Sequence, residues 1–358
     1  MFRYALNKIG YGLLTLLGVM IVIFLLFNLL PGDPARMMLG QNETAEQLAV
    51  VKHKYGFDNP LGTQFLLYLN DLSPLSFHSK QKGDYTFLAV GKYQAKPLFA
   101  FGKTQTVLKS PYLRESFQKN GKPVSSVIAE TLPNTAILAV SAIAIAMVLG
   151  IFLGVLSVLF KDQFLDRFIQ LVSTLGMSVP SFFSAILFAW IFGFVLREYT
   201  HLNMTGSMYE VDDFGEGKFI QWKNLLLPAI VLGIRPLAVV TQLMRNSLLE
   251  TMSQDYIRTA KAKGLSLARI IRKHALKNSL NPVVTAVSGW FASMLAGAVF
   301  VEYIFGWNGL GKEIVDALNT LDLPVIMGAV LVIATLFIII NIIVDLIYGW
   351  LDPKISHS

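Results

Sequence analysis

The chain has 358 residues, 54% of them hydrophobic and 15% charged, with a mean hydropathy of +0.56. A soluble domain carries about 25% charged residues, so the composition argues against a soluble enzyme, and against disorder, which needs low hydrophobicity and high net charge. Cysteine is absent, which removes disulfides, thiol catalysis and cysteine-held metals; the net charge of +7 fits lysine and arginine retained in cytoplasmic loops better than nucleic-acid binding.

The first element is a charge-free run, Ile9 to Leu30, long enough to cross about 30 Å of hydrocarbon. It follows Arg3 and Lys8 as a signal peptide would, but it exceeds a signal core. No small-residue cleavage site comes after it, so residues 1–30 read as an uncleaved first span. Five further apolar runs are expected to span, at 133–160, 168–196, 225–245, 282–305 and 324–351. Pro180 lies near the middle of the third of the six spans, and Arg235 interrupts the fourth.

With the amino terminus inside, the short inside segments hold about 13 lysines and arginines against about 4 in the two short outside loops. Both termini are therefore expected in the cytoplasm, with residues 352–358 as a cytoplasmic tail. Residues 31–132 would lie outside. Their first part, to about Leu69, reads as short helices, and Tyr85 to Thr106 as a small hairpin.

The segment 253–281 is not an ordinary loop. Ser253 is placed to cap a helix, and Asp255 suits its positive end. Gly264 stands where that helix should stop, because glycine enters the left-handed region without steric cost. Ser266 is placed to cap a second helix, and Pro282 opens the next span. Two short helices with a bend at Gly264-Leu265-Ser266 result. Small residues Ala260, Ala262 and Gly264 permit close approach by another chain. Tyr256, Ile257, Leu265, Leu267, Ile270 and Ile271 are able to anchor the element or fill a partner's groove. A basic amphipathic loop on anionic lipid is the competing reading.

This segment resembles the EAA loop of type I ABC-importer permeases. Arg258-Thr259-Ala260 stands at the three residues that name the motif and Gly264 at its spaced glycine. The first motif residue departs from glutamate, and Lys277 stands where a proline is expected after Leu276; both departures match the peptide-permease branch. Other stretches in family order resemble it too: Leu29 to Pro34, Lys54 to Leu61, Leu175 to Phe182, Phe305 to Gly311 with Asn308 in place of proline, and Asn341 to Pro353.

The resemblance is to the first permease subunit of the dipeptide/oligopeptide (peptide/nickel) importers. It implies an all-α type I permease fold with six transmembrane helices, with an extracytoplasmic insertion at about 73–114. It also implies a non-catalytic subunit without cofactor or metal in a bacterial inner membrane. Implied partners are a second homologous permease, two cytoplasmic ATPases, an extracytoplasmic substrate-binding protein, a peptide substrate and membrane lipid, with no nucleic acid. Residues implied in ATPase coupling are Tyr256, Arg258, Thr259, Ala260, Gly264, Leu265, Ser266, His274 and Leu276. Pro180, Ser181 and Arg235 are candidates for the translocation path. Nickel chelates and glutathione are alternative cargoes within the family.

Other patterns in the sequence carry less. Gly306 to Lys312 has phosphate-loop spacing, but Glu313 stands where a hydroxyl is needed, and a glycine-rich turn is preferred. Arg235 at bilayer depth should face protein or water, as a lining residue or in a structural ion pair. Asp345 and Glu302, near span ends, read as capping or subunit-contact residues. The five histidines are scattered, with no zinc-helix spacing. A secondary transporter or channel would need a relay of intramembrane acids, or broken helices in matching halves; only Arg235 and Asp345 lie at depth, so the relay is missing.

Overall fold

The computed structural model describes residues 2–29, 34–39, 44–88, 93, 95–211 and 217–351. In chain order the helices are α1 (Phe2–Leu29), α2 (Pro34–Leu39), α3 (Ala45–Tyr55) and α4 (Leu61–Leu72). Strands β1 (Leu75–Ser79), β2 (Ala95–Phe101) and β3 (Thr104–Lys109) follow. Then come α5 (Val124–Leu159), α6 (Phe164–Ser178), α7 (Ser181–Trp190), α8 (Arg197–Thr200), β4 (Tyr209–Val211), β5 (Lys218–Ile220) and α9 (Lys223–Met252). The last set is α10 (Asp255–Ala262), α11 (Leu267–Ile270), α12 (Leu276–Ser279), α13 (Asn281–Gly297), α14 (Val299–Phe305), α15 (Leu310–Asn319) and α16 (Leu323–Leu351).

The chain divides into two units: residues 1–9, 131–313 and 336–358 form the first, and residues 10–130 and 314–335 the second. Among the described residues, four helices are long and apolar enough to cross a membrane: α1, α5, α9 and α16. The charge-free run 168–196 is not one straight helix. Helices α6 and α7 meet at 110°, and counting that pair as one span gives five. Val179 is the cause: proline at 180 disfavours helical backbone in the residue before it, and Val179 is extended at ψ 131°. The run 282–305 is likewise divided, at Ala298 between α13 and α14.

In the first unit α5 packs on α9 through small residues. Ala142, Ala146, Gly150 and Gly154 recur every fourth residue and are buried. A Cβ at Gly150 would stand 2.7 Å from Val240, and one at Gly154 2.6 Å from Met244, so side chains there are excluded. Such stripes let helix backbones approach within a membrane, where apolar burial alone gives no drive. The main core adds Leu138, Leu232, Met294, Val301, Phe305 and Trp307. Lys8 pairs with Asp345 at 2.6 Å, so in the chain alone Asp345 makes an internal ion pair, a role other than the capping or subunit contact expected of it.

In the second unit Phe24 of α1 packs with Tyr68 and Leu72 of α4 and Leu331 of α16. The sheet has the order β1-β3-β2, all antiparallel. The hairpin therefore starts at Ala95 rather than Tyr85, and a third strand, Leu75–Ser79, joins it. Beneath the sheet lies a buried polar network. Asp71 takes Tyr85 Oη at 2.7 Å and Arg114 Nε at 3.1 Å, and its carbonyl accepts from Lys109. Burial pushes the Tyr68 phenol up to about 12 and Tyr85 well above its ordinary range, so both stay neutral.

Candidate functional site

The segment after α9 forms the bent hairpin that its punctuation predicts. Helix α10 ends in a Schellman closure: Gly264 N–H donates to Lys261 O at 2.9 Å and Leu265 N–H to Ala260 O at 3.3 Å. Gly264 sits at φ +75°, where a side chain would be strained. The chain then enters α11 through Ser266 in extended conformation, passes a wider turn over Ile271–Ala275, and continues as α12 into α13. Pro282 lies in the first turn of α13. Two details differ from expectation. Ser253 closes α9, its hydroxyl donating to Glu250 O at 2.7 Å, and Gln254 holds the cap position of α10. Ser266 takes its cap position without a side-chain hydrogen bond.

One face of this hairpin is core. Ile257, Ala260, Ile270, Ile271 and Ala275 pack with Val240, Met244 and Leu248 of α9 and Val283 of α13, while Leu265 and Leu276 are half-buried at the edge. Asn278 Nδ2 donates to Tyr256 Oη at 3.0 Å, and Ser279 Oγ to Thr251 Oγ1 at 3.0 Å, tying the two limbs together. The other face is exposed and basic: Tyr256, Arg258, Thr259, Lys261, Lys263, Gly264, Ser266, Leu267, Arg269, Arg272, Lys273, His274 and Lys277. Of the nine residues singled out for coupling, Ala260 is buried, Leu265 and Leu276 are half-buried, and six lie on the exposed side.

The helix that leads to the hairpin, α9, is itself clamped by a buried carboxylate that no local motif marks. Asp166 of α6, 2% exposed, accepts from Arg245 Nε and Nη2 of α9, both at 2.8 Å. Its oxygens also take the Ser157 hydroxyl of α5 and the Asp162 N–H at 3.0 Å. A bidentate guanidinium–carboxylate pair is both strong and directional. It joins α5, α6 and α9 about two turns before α9 ends at Met252.

The residues proposed for the path are not gathered into one site. Pro180 is exposed at the α6–α7 bend and Ser181 half-buried. Arg235 is exposed on α9 and has no ion pair among the described residues. An apolar groove runs between α6, α7 and α9, lined by Phe168, Val172, Phe183, Ile234, Leu237 and Ala238 among others.

The phosphate-loop spacing has a structural explanation. Glu302, fully buried, accepts from the N–H of Gly311 at 2.7 Å and of Lys312 at 3.1 Å, so a carboxylate already occupies the first turn of α15. Trp307 Nε1 donates to Asn134 O at 3.1 Å, Asn134 Nδ2 to Asn308 O at 2.7 Å, and Leu310 N–H to Thr135 Oγ1 at 2.8 Å. Capping, one of the two roles expected of Glu302, is what it performs. Among the described residues no group of three or more His, Cys, Asp or Glu is placed to hold a metal.

Two family models match. Residues 146–357 match the binding-protein-dependent transport system inner membrane component, and residues 1–139 match the N-terminal part of such membrane components. The dipeptide transport system permease protein DppB of Alkalihalophilus pseudofirmus is 32% identical over 370 residues, covering 100% of both chains. That of Haemophilus influenzae is 35% identical over 371 residues, again covering 100% of both. A solved inward-facing MetNI methionine ABC transporter aligns with a TM-score of 0.48 and 16% identity, covering 62% of this chain and 95% of that one.

Proposed function

We propose that this chain, which belongs to the binding-protein-dependent transport system inner membrane component family and is the multi-pass permease subunit of an ATP-driven ABC importer, carries di- or oligopeptides. Two full-length relatives named as dipeptide permeases support that cargo. The assembly would hold a second homologous permease, two cytoplasmic ATPases and an extracytoplasmic binding protein. The topology has six spans with both termini in the cytoplasm, 31–132 outside with an insertion at about 73–114, and 253–281 inside. The α6–α7 pair counts as the third span and α13–α14 as the fifth.

One observation carries the mechanism: the bent hairpin is packed against α9 and α13 on its inner face and exposed on its outer face. ATP-driven closure of the ATPases would move Tyr256, Arg258, Thr259 and the bend at Gly264. The buried contacts of Ile257, Ala260 and Ala275 with α9, and the Asp166–Arg245 clamp, would pass that motion into α5, α6 and α9. The groove near Pro180, Ser181 and Arg235 would then alternate between outward and inward access. Arg235, exposed on the isolated chain, is the candidate to meet a substrate carboxylate or an acid of the second permease. No covalent step falls to this chain.

The test is ATP-dependent peptide uptake by the assembled importer in proteoliposomes. Gly264→Val is expected to lose uptake and transport-stimulated ATP hydrolysis while the chain still inserts. Normal uptake by that variant contradicts the assigned bend.

A further inference from the structure

The three-stranded sheet of the second unit is inside out. On the inward side of β1 and β3, Ser76, His78 and Lys109 are buried beside Val107, with Ser76 Oγ 3.0 Å from His78 Nε2 and His78 Nδ1 3.0 Å from Thr86 O, while edge strand β2 is largely exposed on both sides. Its apolar side is exposed. Across the strands, Leu75 pairs with Leu108 and Leu108 with Lys96; Phe77 pairs with Thr106 and Thr106 with Phe99; Ser79 pairs with Thr104 and Thr104 with Phe101. A bulge between Pro97 and Phe99 restores the phase of β2, which brings Phe99 and Phe101 onto the face that Lys96 already occupies. Leu75, Phe77, Phe99 and Leu108 are exposed on this face, and Phe101, beside the hairpin tip, is 78% exposed. A water-facing sheet alternates the other way.

Two observations say what covers this face. The first is its position. Leu72 packs on Phe24 and Leu331, residues of α1 and α16 that lie within apolar spanning stretches, and β1 begins three residues later at Leu75. Three residues reach at most about 10 Å, so the sheet starts at the end of a membrane span. The second is its rim. Lys80, Lys82, Lys96 and Lys103 are exposed around the aromatic face, with Asp84 the exposed acid between them. Aromatic residues with lysine suit the headgroup layer, where rings meet acyl chains and ammonium groups meet lipid phosphates.

We propose that the Leu75–Lys109 sheet lies on the bilayer as an interfacial anchor, seating Phe77, Phe99 and Phe101 in the headgroup layer of anionic lipid. This depends on α1 being membrane-embedded and is independent of the cargo and of the coupling hairpin. An anchored sheet would fix the outer end of α1 through the Phe24–Leu72 contact.

The chain has no native cysteine, which makes site labelling direct. Phe101→Cys and Phe99→Cys, with Glu46→Cys on exposed α3 as control, would be labelled with an environment-sensitive fluorophore. The full-length protein would be placed in nanodiscs of phosphatidylcholine and phosphatidylglycerol at about 3:1, with or without headgroup-level nitroxide lipid. Quenching of at least about twofold at both sheet positions, absent at the control, is expected; Lys96→Glu with Lys103→Glu should reduce it in anionic discs and not in neutral ones. No quenching at 99 and 101 overturns the proposal. So does a fluorescence shift that occurs only when a binding protein is added, which would assign the face to protein.

Discussion

Helices α10 and α14 both stop at a glycine in the left-handed region, Gly264 at φ +75° and Gly306 at φ +66°, and both close with the same pair of backbone hydrogen bonds. Their surroundings differ. A Cβ built on Gly264 meets nothing within 4 Å, whereas beyond Gly306 the chain turns into a knot where a Cβ on Gly311 would stand 2.5 Å from Val299 Cα. Around Gly306, Glu302 Oε2, Trp307, Asn134 and Thr135 are engaged in internal hydrogen bonds. Around Gly264 the outward face keeps its lysines, arginines and Tyr256 in the open. One turn type thus serves closure in one place and presentation in the other. A surface left open on a well-anchored hairpin is what a docking partner requires.

Substitutions should separate the two uses. The largest loss of stability is expected at the clamp on α9. Asp166→Ala removes the buried carboxylate, leaves the half-buried Arg245 guanidinium without its partner, and should cost about 3–5 kcal/mol in unfolding of the detergent-solubilised protein. The double change Asp166→Leu with Arg245→Met should recover much of that, since replacing a buried pair by apolar residues is often near neutral. In the knot, Gly311→Ala forces a methyl against backbone and should cost about 3 kcal/mol; a loss below about 1 kcal/mol would mean that the knot gives way. Trp307→Phe should lose about 1–2 kcal/mol through the hydrogen bond to Asn134 O and the unfilled volume. Gly264→Ala should cost least, about 1 kcal/mol from the left-handed backbone alone, yet lower the coupling of ATP hydrolysis to uptake. A hairpin variant that loses stability without losing coupling would erase the contrast.

How far these features were readable in sequence follows from their range. The hairpin was legible because its punctuation is local: Gly264 stops one helix and Pro282 starts another. Ser253 was misread because a serine between two helices suits the end of the first as well as the start of the second. The 110° bend was half legible, since Pro180 marks a break but hydropathy carries no direction. The Asp166–Arg245 clamp was not, because its partners are 79 residues apart and each resembles an ordinary loop charge. The stripe Ala142, Ala146, Gly150 and Gly154 is legible as small residues at helical spacing, which mark a close helix contact. Strand β1 escaped because its alternation is inverted, with Ser76 and His78 inside and Leu75 and Phe77 outside.

The central claim, that the exposed side of the hairpin is gripped by an ATPase, is tested most directly by a cross-link. Thr259→Cys in the otherwise cysteine-free chain, within the assembled importer, would be paired with cysteines placed on the ATPase surface. The account predicts a specific cross-link whose yield changes between ATP-bound and nucleotide-free states. No cross-link in either state, in an importer that still takes up peptide with ATP, would contradict it.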